Sequence, residues 1–442
     1  MGHADPLLEV DARQNYWMPF SPNKEFKQEP RMFVRAEGVW LYKPNGDQVI
    51  DASSGLFCVA AGHCRPEIAK AVYEQLTTLD YSMPFTRAQP KAFELAQRIT
   101  NFTPAGMNRV FFVGSGSESV DTAMKMALAF HRIRGQGHRQ LFVSRERAYH
   151  GVNMGGVALS GMVNNRRTFG VGLPGVHFMR HTALPENRFV RGQPETGADL
   201  ADDLARICTM VGGDNIAAVF VEPTAGSFGC LPPPKGYLDK LRAICDQHGI
   251  LLVFDEVITG WGRMGAPFGA QAFGVTPDLL TMAKAITNGA QPMGAVAARQ
   301  EIYDTITEAG PAQGIEFFHG YTYSAHPAAC AAGLAMMDIF EREDLIGRAA
   351  AMSPYFLDAV YSLRDLPCVV DIRGVGMMAA VELSTAGKPP GARGHEAQKA
   401  LFDANLNLKS TGDSLILAPP FIAEKHHIDQ IVGTLRKVLA AY

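Results

Sequence analysis

One lysine stands in an unusually apolar part of the chain. Lys284 lies in the segment Leu-Leu-Thr-Met-Ala-Lys-Ala-Ile-Thr, residues 279–287. Lysine is rarely buried without a reason, and a lysine removed from water has a lowered pKa that makes it a nucleophile for carbonyl groups. The alternative is a helical lysine whose stem covers apolar surface while its ammonium group reaches water. Taken alone, Lys284 fits this alternative better. The choice between a buried nucleophile and a surface lysine therefore depends on the other motifs of the chain.

Acidic residues directly follow two apolar runs. Glu222 comes after residues 216–221, and Asp255 comes after residues 250–254. In an open parallel sheet the ligand crevice lies outside the carboxyl ends of the strands. An aspartate there can keep a pyridinium nitrogen protonated, which makes the ring an electron sink. A helix cap or a structural ion pair is the alternative for each residue, but two carboxylates at two strand ends are a stronger signal than one.

A loop of small residues follows another apolar run. Residues 114–119 read Gly-Ser-Gly-Ser-Glu-Ser and precede a predicted helix. Small residues let the backbone approach a phosphate, and a helix N-terminus offers free N–H groups. A tight turn with a serine cap is an equally good interpretation. The loop does not match the dinucleotide fingerprint G-x-G-x-x-G, because Ser119 stands where the third glycine is required.

Further polar and aromatic residues follow the predicted strands. Tyr149 and His150 come after residues 140–144. An aromatic ring there can stack on a flat cofactor, although a buried core tyrosine is equally plausible. Residues 319–324 offer hydroxyl groups for a phosphate or simply form a polar turn. The histidines form no constellation of metal ligands, so we predict no metal site.

Short apolar runs and helix-like segments alternate through the middle of the chain. The apolar runs are residues 109–113, 140–144, 216–221, 250–254 and 294–298. Continuous apolar runs of this length are typical of strands buried on both faces. Helices are predicted over residues 119–133 and 236–248, the second closed by Gly249. The alternation predicts an α/β fold with a mostly parallel sheet.

The two ends of the chain have different patterns, which predict a smaller α+β domain. Near the N-terminus, strands are predicted at residues 32–35 and 39–42. In the C-terminal part we predict helices over 328–343, 345–363 and 424–441, strands over 376–382 and 415–418, and a surface loop at 384–393. The expected division is residues 1–55 for an N-terminal segment of the small domain, 56–325 for a large domain and 326–442 for the rest of the small domain.

The composition of the chain limits the classes of protein to which it can belong. The chain has 442 residues, 47% of them hydrophobic and 19% charged, with a net charge of −3. This balance gives no support to a nucleic-acid or membrane partner. The seven cysteines include no Cys-x-x-Cys pair, which favours reduced thiols over a zinc or disulfide framework. The N-terminus resembles no signal peptide and no apolar stretch is long enough to span a membrane, so we expect a cytoplasmic protein.

The motifs occur in the order small-residue loop, Tyr-His-Gly, Glu-Pro, Asp-Glu-Val, apolar lysine, Gly-Tyr-Thr. That order resembles the class III aminotransferases, pyridoxal 5′-phosphate (PLP) enzymes of fold type I. Residues 251–296 carry most of the resemblance, which extends from residue 17 to residue 420. Residues 53–63, 215–227 and 317–333 are most similar to the ω-amino acid:pyruvate (β-alanine:pyruvate) branch.

The resemblance implies specific roles around PLP. Lys284 would carry the cofactor as a Schiff base and move the proton during the reaction. Asp255 would pair with the pyridine nitrogen, Tyr149 or His150 would cover one face of the ring, and Val257 would pack on the other.

The resemblance also implies roles at the edges of the cofactor. Gly116 and Ser117 would bind its phosphate, with Thr322 reaching it from a partner subunit. Glu222 would orient Asp255. The protein would therefore be a homodimer with its active site at the subunit interface, and whether dimers pair into tetramers stays open.

The resemblance further assigns a substrate pocket. Phe20, Phe57 and Phe85 would form its walls, with Phe85 coming from the partner chain. One position departs from the family pattern, because Lys409 stands where relatives carry an arginine that binds the substrate carboxylate. A lysine is a point charge and lacks the planar fork of arginine. Arg87 is the other candidate for this role.

The expected activity is ping-pong transamination. An ω-amino acid or primary amine, such as β-alanine, would donate its amino group, and pyruvate or a similar keto acid would accept it. The alternatives are another PLP reaction on the same fold, such as that of an aminomutase, a decarboxylase or a racemase, or a nicotinamide dehydrogenase. A non-enzymatic binding protein would leave Lys284 and the two strand-end carboxylates without a purpose. Relatives in this branch imply a preference for (S)-amines.

Overall fold

The computed structural model describes residues 13–170 and 172–442. The first 12 residues of the predicted segment 1–55 lie outside this range.

Short strands form three sheets in the described residues. The strands are β1 (Arg35–Glu37), β2 (Trp40–Tyr42), β3 (Gln48–Asp51), β4 (Arg109–Val113), β5 (Leu141–Arg145), β6 (Val176–Met179), β7 (Ile216–Val221), β8 (Leu251–Asp255), β9 (Leu279–Met282), β10 (Gly294–Ala298), β11 (Val369–Val375), β12 (Met378–Leu383), β13 (Leu406–Asn407), β14 (Lys409–Thr411) and β15 (Ser414–Leu417).

Helices connect and cover the sheets. The α-helices are α1 (Asn23–Gln28), α2 (Ser54–Phe57), α3 (Pro66–Thr78), α4 (Pro90–Thr100), α5 (Gly116–Ile133), α6 (Met154–Leu159), α7 (Val163–Arg167), α8 (Asp202–Val211), α9 (Tyr237–His248), α10 (Gly269–Phe273), α11 (Gln300–Glu308), α12 (Pro327–Arg342), α13 (Leu345–Tyr361), α14 (Ala392–Asp403) and α15 (Lys425–Leu439). Short 3₁₀ turns lie at Pro185–Asn187, Ala198–Ala201, Gly213–Asn215, Lys284–Thr287 and Ser362–Asp365.

The largest sheet has the strand order β4-β10-β9-β8-β7-β5-β6. Its neighbouring strands pair in parallel except β10, which runs antiparallel to β9 and β4. Every residue of β7 and β8 is buried, as expected where helices cover both faces of a parallel sheet. The predicted α/β fold with a mostly parallel sheet is confirmed.

Two strands of this sheet are not predicted from the sequence. β6 and β9 have four residues each, too short to give a periodic signal. β9 matters for the site, because it ends at Met282 and Lys284 then begins a 3₁₀ turn. The alternative of a lysine on the surface of an α-helix is therefore excluded.

Two predicted helices of the large sheet region are confirmed with small shifts at their ends. α5 begins three residues earlier than predicted, because Ser115 caps it by accepting a hydrogen bond from the Glu118 N–H at 3.2 Å. α9 ends at His248, and Gly249 closes it in the left-handed conformation with φ of 64°.

The C-terminal sheet has the order β11-β12-β15-β14 and is antiparallel throughout. The strand predicted over residues 376–382 corresponds to β12 and begins two residues later, because Gly376 and Met377 form the turn of the hairpin that joins it to β11, a strand that was not predicted. β11 contains Asp371 and Arg373, whose charges hide its apolar pattern. These two side chains form a buried ion pair with each other, so the strand can lie inside the fold.

A third sheet joins the two ends of the chain. Its order is β1-β2-β3-β13, and β13 pairs in parallel with β3, with Leu406 opposite Ile50. This pairing supports our proposal that the N-terminal segment belongs with the C-terminal part. The predicted strand at 32–35 is misplaced, since β1 begins only at Arg35. None of the helices in the described ranges is long and apolar enough to cross a membrane.

Candidate active site

Lys284 stands at a strained position directly behind β9. Its φ of +54° is in the left-handed region, which costs on the order of 1–2 kcal/mol for a residue with a Cβ. Burial of the amine lowers the pKa of Lys284, and the weaker Coulomb interactions with Cys58, Asp255 and Glu222 oppose this shift. The side chain is thus a desolvated amine, which loses its proton more readily than an exposed lysine and so attacks a carbonyl group more readily.

Asp255 is the last residue of β8 and is held by three hydrogen bonds. Its Oδ2 lies 2.8 Å from Nδ1 of His150, a fully buried side chain. Its Oδ1 accepts hydrogen bonds from the Val257 N–H and the Thr281 hydroxyl, each at 3.2 Å. Thr281 lies opposite Asp255 in the register of β8 and β9. The carboxylate is therefore fixed in position before any ligand binds.

Glu222 directly follows β7, and its carboxylate contacts two loops. Its carboxylate accepts hydrogen bonds from the N–H groups of Tyr149 at 3.1 Å and Gly226 at 3.0 Å. Burial raises the pKa of Glu222. In the described part of the chain it makes no hydrogen bond to Asp255, which is oriented by His150 instead. The hydrogen bonds of Glu222 thus connect two loops, and its role in orienting Asp255 stays a prediction.

The Tyr-His-Gly loop packs closely on the start of α5. A Cβ on Gly151 would lie 2.6 Å from Oγ of Ser117, so only glycine permits this approach. The hydroxyl of Ser117 accepts a hydrogen bond from the Val152 N–H at 3.0 Å. A Cβ on Gly116 would lie 2.9 Å from Val257 Cγ1. These contacts place Val257, the loop and the helix N-terminus around one space.

That space is a cavity of about 120 Å³. Its lining consists of Gly116, Ser117, Tyr149, His150, Gly151, Glu222, Thr224, Asp255, Val257, Ile258, Ala283 and Lys284. Two buried polar atoms of this lining, Thr224 Oγ1 and His150 Nε2, have no hydrogen-bond partner among the described residues. An amine, a fixed carboxylate, a helix N-terminus and two orphaned polar atoms fit a flat, phosphorylated, nitrogen-containing ring.

Three of the predicted site residues lie outside the cavity of this single chain. Thr322 is exposed, and its carbonyl accepts a hydrogen bond from the Tyr81 hydroxyl at 3.0 Å. Phe85 is 49% exposed and packs against Gly320, and Phe20 is 76% exposed. The contribution of these residues to an active site stays a prediction. For Thr322 and Phe85 the predicted site is that of a partner subunit.

The other two pocket residues lie closer to the cavity. Phe57 is buried and packs in an apolar cluster with Ile258 and Ile416. Lys409 stands directly opposite Ile416 in the register of β14 and β15, so their side chains share one face of the sheet. Burial lowers the pKa of Lys409, which has no acidic partner in the described ranges. Arg87 is exposed and bonds only to Thr86.

Sequence analysis missed several residues that build the site. Thr281 and Thr224 are hydroxyl residues in buried segments, and no spacing rule distinguishes them. Arg145, at the end of β5, donates to the Glu222 carbonyl at 3.1 Å and is almost fully buried. The one signal for Arg145 in the sequence is its place at the end of a predicted strand, four residues before Tyr149.

Comparison with known proteins agrees with this geometry. A family model described as aminotransferase class-III matches residues 22–439. The omega-aminotransferase of Caulobacter vibrioides is 53% identical over 432 residues, covering 98% of each chain. The beta-alanine–pyruvate aminotransferase of Pseudomonas aeruginosa is 46% identical, covering 99% of this chain and 98% of the relative.

Solved structures show the same architecture. An (S)-enantioselective omega-transaminase from Thermomicrobium roseum superposes with a TM-score of 0.92 at 33% identity, covering 98% of this chain and 97% of that one. The omega transaminase of Pseudomonas jessenii in complex with PMP gives a TM-score of 0.92 at 30% identity, with the same coverage.

The mostly parallel sheet, with a lysine behind β9 and acids at the ends of β7 and β8, is the PLP-dependent transferase fold of type I. The chain belongs to the class III aminotransferases. Enzymes of this family depend on PLP and act on amines and keto acids.

Proposed function

We propose that this protein is a PLP-dependent transaminase that moves an amino group from an ω-amino acid or primary amine of the β-alanine type to pyruvate or a similar keto acid. The observation that carries the proposal is the desolvated Lys284 amine, which shares one cavity with the Asp255–His150 pair. The names of the relatives support the substrates, since they include beta-alanine–pyruvate aminotransferase.

Bound PLP would supply an electron sink for the negative charge that develops on the substrate carbon beside the nitrogen. Asp255 would hold a protonated ring nitrogen by a charge-assisted hydrogen bond, while His150 and Thr281 keep its two oxygens in place. Nζ of Lys284 would take the proton from the substrate carbon and return it, as the general acid and base of both half-reactions.

The remaining cavity residues would position the ring and its phosphate. Gly116 and Ser117 begin α5, whose free N–H groups favour an anion. Tyr149 and Val257 line the cavity and would enclose the ring between them. Phe57 and Lys409 would form part of the substrate pocket, with the Lys409 ammonium group attracting the carboxylate. The (S)-selective relative supports a preference for (S)-amines.

We further propose a homodimer, with Thr322 and Phe85 completing the partner's site. The support is a patch of exposed apolar side chains around these two residues. It comprises Tyr81, Met83, Phe85, Phe318 and Tyr323. Tyr81 packs edge-on against Tyr323, and several exposed apolar side chains in one region mark an interaction surface. The cytoplasmic location also stays a prediction.

A visible absorbance spectrum of the purified holoenzyme tests the activity. We expect a band from the lysine-bound cofactor that bleaches on addition of β-alanine and returns with pyruvate. The Lys284→Ala variant should lose this cycle, whereas the exposed control Lys70→Ala should keep it. Stoichiometric conversion of amine and keto acid separates transamination from aminomutase or decarboxylase chemistry. A protein that stays colourless after incubation with PLP would overturn the proposal.

A further inference from the structure

A second cleft, of about 360 Å³, lies apart from the Lys284 cavity and shares no lining residue with it. One wall comes from residues 181–194, which follow β6, and the other from β11 and β12. The loop of residues 223–231 lies between the two spaces. The Gly226 N–H donates to the Glu222 carboxylate, which lines the Lys284 cavity, whereas Leu231 lines the cleft.

Arg147 projects into this cleft from a fixed backbone. Its φ of +66° is left-handed, and its N–H donates to the Gly161 carbonyl at 3.1 Å. The guanidinium lies 4.6 Å from the ring centroid of Phe228. It has neither a salt bridge nor a side-chain hydrogen bond in residues 13–170 and 172–442. Burial lowers the pKa of Arg147, and the weaker Coulomb interactions with Glu382 and Glu146 oppose this shift.

Two further lining groups are also without partners. Arg188 makes no ion pair or side-chain hydrogen bond to any described residue. Thr182 is only 4% exposed, and its Oγ1 has no hydrogen-bond partner among them. The third arginine of the lining, Arg373, forms ion pairs with both Asp371 and Glu382, so these three side chains together carry one negative charge. The cleft thus presents two unpaired guanidinium groups and one orphaned hydroxyl.

We propose that this cleft binds a small organic anion that carries at least two carboxylate groups. Arginine forks bind carboxylates in a bidentate manner, and the Thr182 hydroxyl can donate to one of their oxygens. Leu184, Val190 and Leu231 would contact the carbon skeleton. The volume is far above the ~30 Å³ that one water molecule occupies and lies in the range of small-molecule sites, so a single inorganic ion would leave it largely unfilled.

Isothermal titration of the holoenzyme with citrate, at low ionic strength, tests the proposal. We expect one site per chain. Arg147→Gln and Arg188→Gln should each weaken binding about ten- to hundredfold, since each removes a charge-assisted hydrogen-bonding group. Thr182→Val, which keeps the shape of a buried side chain, should weaken binding less and should fold normally. The matched control is Arg348→Gln, which changes an exposed arginine elsewhere.

Each other outcome contradicts the proposal. Loss of citrate binding in Lys409→Ala, with Arg147→Gln unaffected, would move the anion to the substrate pocket. An equal loss in Arg348→Gln would show nonspecific attraction to surface charge. Absence of citrate binding by the wild-type holoenzyme would overturn the proposal outright. The result does not depend on the transaminase proposal, because the titration measures binding at a separate site.

Discussion

At the scale of single residues, the site is built from side chains whose positions are fixed before any ligand arrives. One carboxylate oxygen of Asp255 is hydrogen-bonded to His150, and the other accepts hydrogen bonds from Thr281 and a backbone N–H. Its location at a strand end is predictable from sequence. Its partners are not, because they come from β9 and from a loop more than a hundred residues away.

Changing Asp255 and changing one of its partners should have different effects. Asp255→Asn removes the charge proposed to hold the ring nitrogen protonated and should lower turnover roughly 100- to 1,000-fold, as loss of a preorganised electrostatic group does. Thr281→Val removes one hydrogen bond, worth about 1 kcal/mol, and should lower turnover only several-fold. Steady-state kinetics with β-alanine and pyruvate measure both, and equal losses would argue against a special role for the charge.

Lys284 should make the stability of the cofactor-free protein depend on pH. Because its folded-state pKa lies below that of the unfolded chain, the unfolded state binds more protons between the two values. Stability therefore rises with pH across that window. We expect Lys284→Met to be more stable than wild type below the lowered pKa of Lys284, with the difference narrowing as the pH rises towards the ordinary lysine pKa of about 10.4. Thermal midpoints of the two apo-proteins measure this, and a difference that widens with pH would contradict it.

Lys409 should bind the substrate carboxylate as a point charge. Lys409→Ala should raise the apparent KM for pyruvate by roughly tenfold, while Lys409→Arg should lower it, because arginine can form two parallel hydrogen bonds. Exposed Arg87 offers a control, since Arg87→Ala should leave this KM unchanged if Lys409 is the carboxylate-binding residue. An unchanged KM in Lys409→Ala would assign the role elsewhere.

At the scale of elements, the sequence predicts those with strong local signals. α9 is recoverable because Gly249 ends it. β7 is recoverable because all of its residues are apolar, and β8 because its first four residues are apolar. β11 escapes prediction because its charged residues are paired only in the fold. β6 and β9 escape because they are too short for any periodic pattern to be read.

The contact between α5 and Val257 depends on the glycine that begins the helix. In Gly116→Ala the new Cβ would lie 2.9 Å from Val257 Cγ1, so we expect weaker cofactor retention. The double variant with Val257→Ala should recover part of it, because that change removes the steric clash but also one wall of the proposed ring site. Gly433→Ala is the control, because nothing lies within 4 Å of that Cβ and alanine favours a helix interior by about 0.5–1 kcal/mol. Dialysis followed by measurement of the released cofactor tests this. If Gly116→Ala retained the cofactor as well as wild type, the steric explanation would be wrong.

At the scale of the whole molecule, the exposed patch around Phe85 and Thr322 implies a composite active site. Lys284→Ala would inactivate a chain's own site. Thr322→Asp would inactivate its partner's, because a carboxylate repels the phosphate. Random dimers of the two variants should regain about a quarter of wild-type activity, since half are mixed and each mixed dimer has one intact site. Co-expression and activity assays test this, and a mixture that only averages its parents would show that each chain builds its own site.

The sequence by itself determined which residues are able to do chemistry and in what order they occur. They are an apolar lysine, acids after buried strands, and small residues before a helix. These are local properties, set by propensity, hydrophobic pattern and turn chemistry. Only the tertiary structure decided which partners those residues have. It directed the hydrogen bonds of Glu222 to two backbone N–H groups, buried the ion pair of β11, and left Arg147 without a salt bridge to any described residue. The hydrogen bonds of Glu222 join loops distant in sequence. Even for the local Asp371–Arg373 pair, the energy depends on burial, which no local pattern contains.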